Sequence, residues 1–109
     1  MSYTVIVLPE AEEDADHFYR WLAERSPAGA DSWYVEFLSA IRGLTSQPGM
    51  YGRAPESEHV EEEIRQLFLK TRKGLRYRVL FAITGTTVYV LHVRGPGQRL
   101  LAPKEVRKP

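Results

Sequence analysis

Eleven of the fifteen lysines and arginines in this 109-residue chain stand from Ile64 onward, where a single acid, Glu105, accompanies them. They are Arg65, Lys70, Arg72, Lys73, Arg76, Arg78, Arg94, Arg99, Lys104, Arg107 and Lys108. The first 63 residues hold the other four bases and thirteen acids, so a net charge of +1 hides two oppositely charged halves. Cations gathered this way suit an anionic partner. Arginine's planar fork matches phosphate geometry and can stabilise charge developing on a phosphorane, but its high pKa makes it a poor base. His92, the one histidine inside the basic half, titrates near neutrality and is a candidate proton carrier. Other chemistries find less support. His17, His59 and His92 have no metal-ligand spacing and there is no cysteine, so no metal and no cofactor are expected. GPGQR lacks the helix and lysine of a phosphate-cradling loop, and no serine has triad partners at a defensible spacing.

The elements that must position these groups read in the order β-α-α-β-β-β. Tyr3 to Leu8 is apolar on both alternating faces, which predicts a strand buried on both sides. Pro9 suits the start of a helix, and Glu10, Glu12, Glu13 and Asp14 favour its positive end. Ala11, Ala15, Phe18 and Leu22 form its apolar stripe. Ser26-Pro27 restarts the chain as a second helix, whose stripe is Ala30, Trp33, Tyr34, Phe37, Leu38, Ile41 and Leu44. So short a link predicts an antiparallel hairpin. Gln47-Pro48-Gly49 stops the second helix, and a polar loop runs to about Val60. Strands are expected over roughly residues 63–69, 75–84 and 87–94. Residues 95–109 are expected as a loose extension or as a strap lying on a partner. The whole is one α+β domain, residues 1–109, with the helical hairpin packed on one face of a mainly antiparallel four-stranded sheet.

Register decides which side chains share a face. Tyr77, Val79, Phe81 and Ile83 form the core set of the third strand, with Arg76, Arg78, Leu80 and Ala82 opposite. A three-residue loop, Gly85-Thr86-Thr87, puts Tyr89, Leu91 and Val93 on the core side. His92 and Arg94 then lie on an open face beside Arg78 and Arg76. A two-residue Gly85-Thr86 turn would send His92 inward. The first register is preferred because it keeps Arg94 out of the core. Glu56, Glu58, Glu61, Glu62 and Glu63 offset part of the positive charge but are too few to cancel it.

The ordered pieces YTVIVLPEAEEDADHFYRWL, SPAGADSWYVEFLSAIRGLTSQPG, APE, EIRQL, LRYRVLFAI and VYVLHVR resemble the RelE/ParE superfamily, the toxins of type II toxin–antitoxin systems often labelled plasmid-stabilisation proteins. The likeness covers almost the whole chain. It implies a small toxin whose sheet face and helices are wrapped by a cognate antitoxin and whose basic surface meets the cellular target. ParE-like members poison DNA gyrase, whereas RelE-like members cleave mRNA in the ribosomal A site. By resemblance, Arg78 falls where the ribosome-dependent nucleases carry a transition-state arginine, and Glu56 falls in a loop where some place a catalytic glutamate. Read without the resemblance, Glu56 is a solvated loop acid. Those nucleases carry histidine or tyrosine just after the last strand. Here that place reads Gly95-Pro96-Gly97, and neither residue type follows.

The expectation is therefore a ParE-like toxin that inhibits growth by binding DNA gyrase and is neutralised by its antitoxin. One alternative is a metal-independent, ribosome-dependent mRNA endonuclease using Arg78 with Glu56 or His92. Another is a non-toxic nucleic-acid-binding module. Candidate target contacts are Arg65, Lys70, Arg72, Lys73, Arg76, Arg94 and Arg99. Tyr19 and Trp21 fall off the stripe of the first helix and are candidate antitoxin contacts. MSYTVIVLPE has no signal-peptide pattern and no apolar run approaches a membrane span, so a soluble cytoplasmic protein with no membrane partner is expected.

Overall fold

Two prolines, each preceded by an extended residue, start the helices. In the computed structural model, which describes residues 2–71 and 75–106, extended Leu8 precedes Pro9 at the head of helix α1, Pro9–Ala23. Proline there forfeits no hydrogen bond, and Glu10 and Glu12 sit at the positive end of the dipole. Ser26 caps helix α2, Pro27–Gly43, by accepting the Gly29 N–H at 3.0 Å. Beyond α2 the chain turns through Gln47, left-handed at φ 51, into Pro48. Strands β1 (Thr4–Val7), β2 (Arg65–Leu69), β3 (Tyr77–Thr84) and β4 (Thr87–Arg94) form one sheet in the order β1-β4-β3-β2. β1 runs parallel to β4, and the other neighbours are antiparallel. Among the described residues, three short 3-10 turns, Pro48–Met50, Pro55–His59 and Pro103–Glu105, punctuate the remainder. The α+β architecture and element order are those read from the sequence. No described helix is long and apolar enough to cross a membrane.

The helical hairpin covers one sheet face. Ala11, Ala15, Trp33 and Phe37 pack there on Leu67, Tyr77, Val79, Phe81, Val88, Val90 and Val93. The opposite face is not open. Leu101 and Val106 of the C-terminal segment pack on Ala54, Ile64, Leu80, Ala82 and Leu91, with Leu8, Val60 and Tyr89 at the margin. The sheet therefore lies between two apolar layers. Residues 95–106 do not trail as a loose extension: through Leu101 and Val106 they strap the chain's own second face. Residues 107–109 lie outside the described residues.

Three further expectations are corrected. β1 is an edge strand, which leaves Ile6 41% exposed instead of buried on both sides. Tyr34 and Leu38 belong to an exposed face of α2, not to its buried stripe. The β3–β4 turn has two residues, Gly85 and Thr86, since Thr84 pairs with Thr87. Gly85 supplies the positive φ, 60°, that the first corner of such a turn requires. The turn sends Val88 and Val90 to the helix side and Tyr89 and Leu91 to the other. A bulge then leaves Leu91 unpaired between Phe81↔Val90 and Leu80↔His92, which resets the alternation. Val93 returns to the helix side, while His92 and Arg94 stay on the second face. The two anticipated registers each describe half of β4.

Gly95 closes this strand against α1. A Cβ there would stand 2.8 Å from Phe18 Cε1 and 3.0 Å from Cζ. The ring cannot swing aside, because Tyr77 and Trp33 hold it at centroid distances of 5.1 and 6.0 Å. Gly95→Ala should cost about 1–3 kcal/mol in denaturant unfolding, as overpacking does. Gly52→Ala, which meets nothing within 4 Å, should leave the midpoint nearly unchanged.

Candidate functional site

Alternation along β3 points Tyr77 and Val79 at the helices and Arg78 at the second face. There Arg78 meets Glu56, carried up by the Pro55–His59 turn. Its two terminal nitrogens donate to the two carboxylate oxygens at 2.9 Å each, and Nη1 also donates to Gln66 Oε1 at 3.1 Å. Glu56 Oε2 accepts the Leu101 N–H at 3.2 Å. Ser57 Oγ, next along the same turn, accepts the Ile64 N–H at 3.0 Å and fixes the loop to the start of β2. Glu56 is thus not the solvated loop acid that its polar surroundings in the sequence predict. It is 2% exposed. Burial alone would push its pKa up. The Arg78 hydrogen bonds, with its own N–H and that of Leu101, outweigh burial and hold it below the ordinary carboxylate value. A carboxylate in this state is ionised but fully engaged.

His92 has partners of its own. Nδ1 lies 2.9 Å from Asp14 Oδ2 on α1, and Nε2 lies 2.9 Å from the Glu105 carbonyl oxygen. The Asp14 hydrogen bond raises its pKa, against the opposing effect of burial. Asp14 Oδ2 also accepts the Val93 N–H at 2.9 Å, serving β4 beyond the point where β1 ends. The other histidines, His17 and His59, are exposed. Among the described residues, no three histidine, aspartate or glutamate side chains converge as metal ligands.

The candidate target-binding cations do not share one open face. Arg65 donates to the carbonyls of Gly49 and Tyr51 and pairs with Glu63. Arg94 is half-buried under the strap and donates to the Arg99 carbonyl at 2.6 Å. Burial lowers its pKa. Arg99 is exposed but holds Glu105 through bonds of 2.8 and 3.1 Å, which brings that carboxyl's pKa down to about 2. Lys70 and Arg76 remain exposed, where β2 ends and β3 begins. Arg76 lies over the Phe68 ring, 4.9 Å from its centroid, and Phe68 and Leu75 are 45% and 51% exposed. Arg72 and Lys73 lie outside the described residues.

A groove of about 780 Å³ runs between α1 and α2. Val35, Leu38 and Ile41 supply apolar lining, Glu12, Asp16 and Asp31 supply acid, and Tyr19 stands beside Tyr34. The Tyr19 hydroxyl donates to Asp31 Oδ1 at 2.8 Å. Trp21, 46% exposed with the Arg25 guanidinium 3.6 Å from its ring centroid, is not part of the lining. Tyr34, Val35 and Leu38 were not singled out from the sequence as binding residues. Their spacing with Ile41 marks a second apolar stripe on α2, too wide to bury together with Trp33 and Phe37.

Removing one partner from a buried ion pair strands the other charge. Glu56→Ala should therefore cost about 3–5 kcal/mol in denaturant unfolding, and the pair replacement Glu56→Leu with Arg78→Met should cost less than either single change. Because the folded pKa of Glu56 is depressed below the ordinary 4.5, its contribution is present above that pH and is lost as pH falls through the folded value. The acid limb of an unfolding series should show that loss in the parent and lack it in Glu56→Ala.

Comparison with known proteins bears on this arrangement. The solved structure of the chromosomal ParDE TA system from P. aeruginosa matches the fold with a TM-score of 0.68, over 87% of this chain and 97% of that one, at 16% identity. No curated protein matches the chain in sequence. The family model described as ParE toxin of type II toxin-antitoxin system, parDE, spans residues 5–99. From the first strand to the guanidinium that anchors the strap, this chain belongs to the ParE toxin family of type II toxin–antitoxin systems.

Proposed function

We propose that this toxin inhibits growth by binding DNA gyrase, without bond-breaking chemistry of its own, and that a cognate antitoxin neutralises it from the α1/α2 groove. One observation carries the first part. Arg78, Glu56 and His92, the groups an RNA-cleaving mechanism would need free, are each spent on internal partners. A general base must be within reach of the proton it removes and must have a lone pair to receive it. Glu56 lies beneath the strap with both oxygens occupied. The position after β4 where nucleases of the superfamily carry histidine or tyrosine is Gly95, and the Phe18 ring fills the space a side chain would take. The identification of gyrase rests on membership of the ParE branch.

Lys70 and Arg76, with the exposed rings and methyls of Phe68 and Leu75, are the target contacts favoured here. They combine unspent charge with apolar area that binding can bury. The groove suits the antitoxin on charge grounds. Its apolar lining and its acids, Glu12, Asp16 and Asp31, fit an amphipathic segment flanked by basic residues.

Purified chain should inhibit gyrase supercoiling while leaving mRNA ends in a translation extract unchanged. Lys70→Glu with Arg76→Glu should weaken inhibition at least about tenfold, some 1.4 kcal/mol. Cuts within ribosome-bound codons, with gyrase unaffected, would replace this reading by the nuclease one. The antitoxin site has its own test in a growth assay. Val35→Asp with Leu38→Asp should abolish rescue by the neighbouring gene's product while the toxin alone still arrests growth. Undiminished rescue would place the antitoxin elsewhere.

A further inference from the structure

The imidazole of His92 lies between two groups that can only accept hydrogen bonds. Asp14 Oδ2 is 2.9 Å from Nδ1 and the Glu105 carbonyl oxygen is 2.9 Å from Nε2. A neutral imidazole has one N–H and would leave one lone pair facing an oxygen lone pair. Both contacts are attractive together only when both ring nitrogens carry protons. The Asp14 oxygen is held in place independently by the Val93 N–H, so it cannot turn away to relieve a mismatch without uncovering the edge of β4. The ring thereby ties α1 to the end of the strap.

The strap's other attachments converge on the same short stretch. The Glu105 carboxylate receives Arg99 twice and the Ala102 N–H at 2.8 Å. The Leu101 N–H reaches Glu56. Leu101 and Val106 are buried on Ile64, Leu80, Ala82 and Leu91. The charges around the ring are predominantly negative. α1 presents Asp14 and Glu10, and the strap presents Glu105, itself neutralised by Arg99. β4 contributes Arg94, two residues on. Opposite His92, β3 places apolar Leu80, and Arg78 farther along is committed to Glu56.

We propose that His92 is a proton-operated latch: as an imidazolium it clamps residues 101–106 over the second sheet face, and losing one proton releases that segment and uncovers the face. The proton kept is the one on Nδ1, beside the Asp14 carboxylate, so the bond that fails is the one to Glu105. Asp14's hydrogen bond, opposed by burial and aided by the charges of Asp14 and Glu10 and by the Glu105 carbonyl, lifts the pKa above the ordinary 6.5. The sign follows from that direction. The latch is fully closed below the unfolded value and is lost as pH rises through the raised folded value.

Nitrogen-15 spectra of the full chain should show both His92 nitrogens protonated at about pH 6. Exchange protection of the Leu101 amide, corrected for its intrinsic rate, should then fall at least about tenfold as pH passes the His92 midpoint. Amides of β3 such as Phe81 should keep theirs. Asp14→Asn should move the His92 midpoint and the loss of Leu101 protection down together. His92→Gln, which cannot gain charge, should leave a folded chain whose Leu101 protection has no such step. A single protonated nitrogen at about pH 6 in the folded chain, a step in Leu101 protection that does not track the midpoint, or one that persists in His92→Gln would each overturn the latch.

Discussion

A carboxylate removed from water stays ionised only if enough donors converge on it to replace the lost hydration. Glu56 meets that condition through four pieces of chain: its own 3-10 turn, Arg78 of β3, Gln66 of β2 acting through Arg78, and the Leu101 N–H of the C-terminal segment. No single piece suffices. The turn without Arg78 would bury an unpaired anion, and Arg78 without the turn would be an unpaired guanidinium on an apolar face. The docked strap and the fixed loop before β2 thus each add donors to the same carboxylate. The requirement that holds this layer together commits Arg78 and Glu56 to one another.

β4 serves both layers at once, and the bulge at Leu91 makes that possible. Continued without it, the alternation begun at the Gly85-Thr86 turn would place His92 opposite Val79 and Arg94 opposite Tyr77, inside the helix-side core. One extra residue returns Val93 to that core and turns the imidazole and guanidinium to the second face, where Asp14, Glu105 and the Arg99 carbonyl receive them. β1 pairs with β4 only as far as Val90. Past that point α1 takes over the edge through a side chain, with Asp14 accepting the Val93 N–H. An edge that ends early thus gives a helix carboxylate its place.

The signals legible in the sequence were local ones. Pro9, the Ser26-Pro27 cap and the Gln47-Pro48-Gly49 stop each act within a turn of chain; the helices begin where the prolines indicate, and the second ends at Gly43, a turn before its stop. Strand positions followed from alternation for the same reason. The interactions that close the second face were not legible, because Glu56 and Arg78 are 22 residues apart and Asp14 and His92 are 78 apart. Segregated charge read along the chain suggests an open basic surface, yet folding brings acids of the first half onto bases of the second. Gly95 was legible as a missing acid–base residue but not as a packing requirement, since Phe18 lies on another element. The groove is half legible: Tyr19 leaves the apolar stripe of α1, while Tyr34 and Leu38 fall in a stripe of α2 too broad for one core.

What folding leaves unspent constrains how such a toxin can be silenced. The acid-lined groove lies on one side of α2, along Tyr34, Leu38 and Ile41, while Lys70 and Arg76 stand beyond the other side. An antitoxin confined to the groove would leave those cations uncovered. To block them directly its chain must pass over α2. One route is a smaller cleft of about 250 Å³ lined by Glu36, Ala40, Tyr51, Leu67 and Lys70. Pairing of Gln66 with Gly52 fixes which β2 amides point outward, so that of Phe68 faces away from β3 at this edge. In the proposed complex charge favours the same path: a segment that is basic against Glu12, Asp16 and Asp31 would be acidic where it meets Lys70 and Arg76. The two oppositely charged halves of the sequence, joined inside the fold through Arg65–Glu63, Arg78–Glu56 and His92–Asp14, would then be matched a second time by a partner charged in the reverse order.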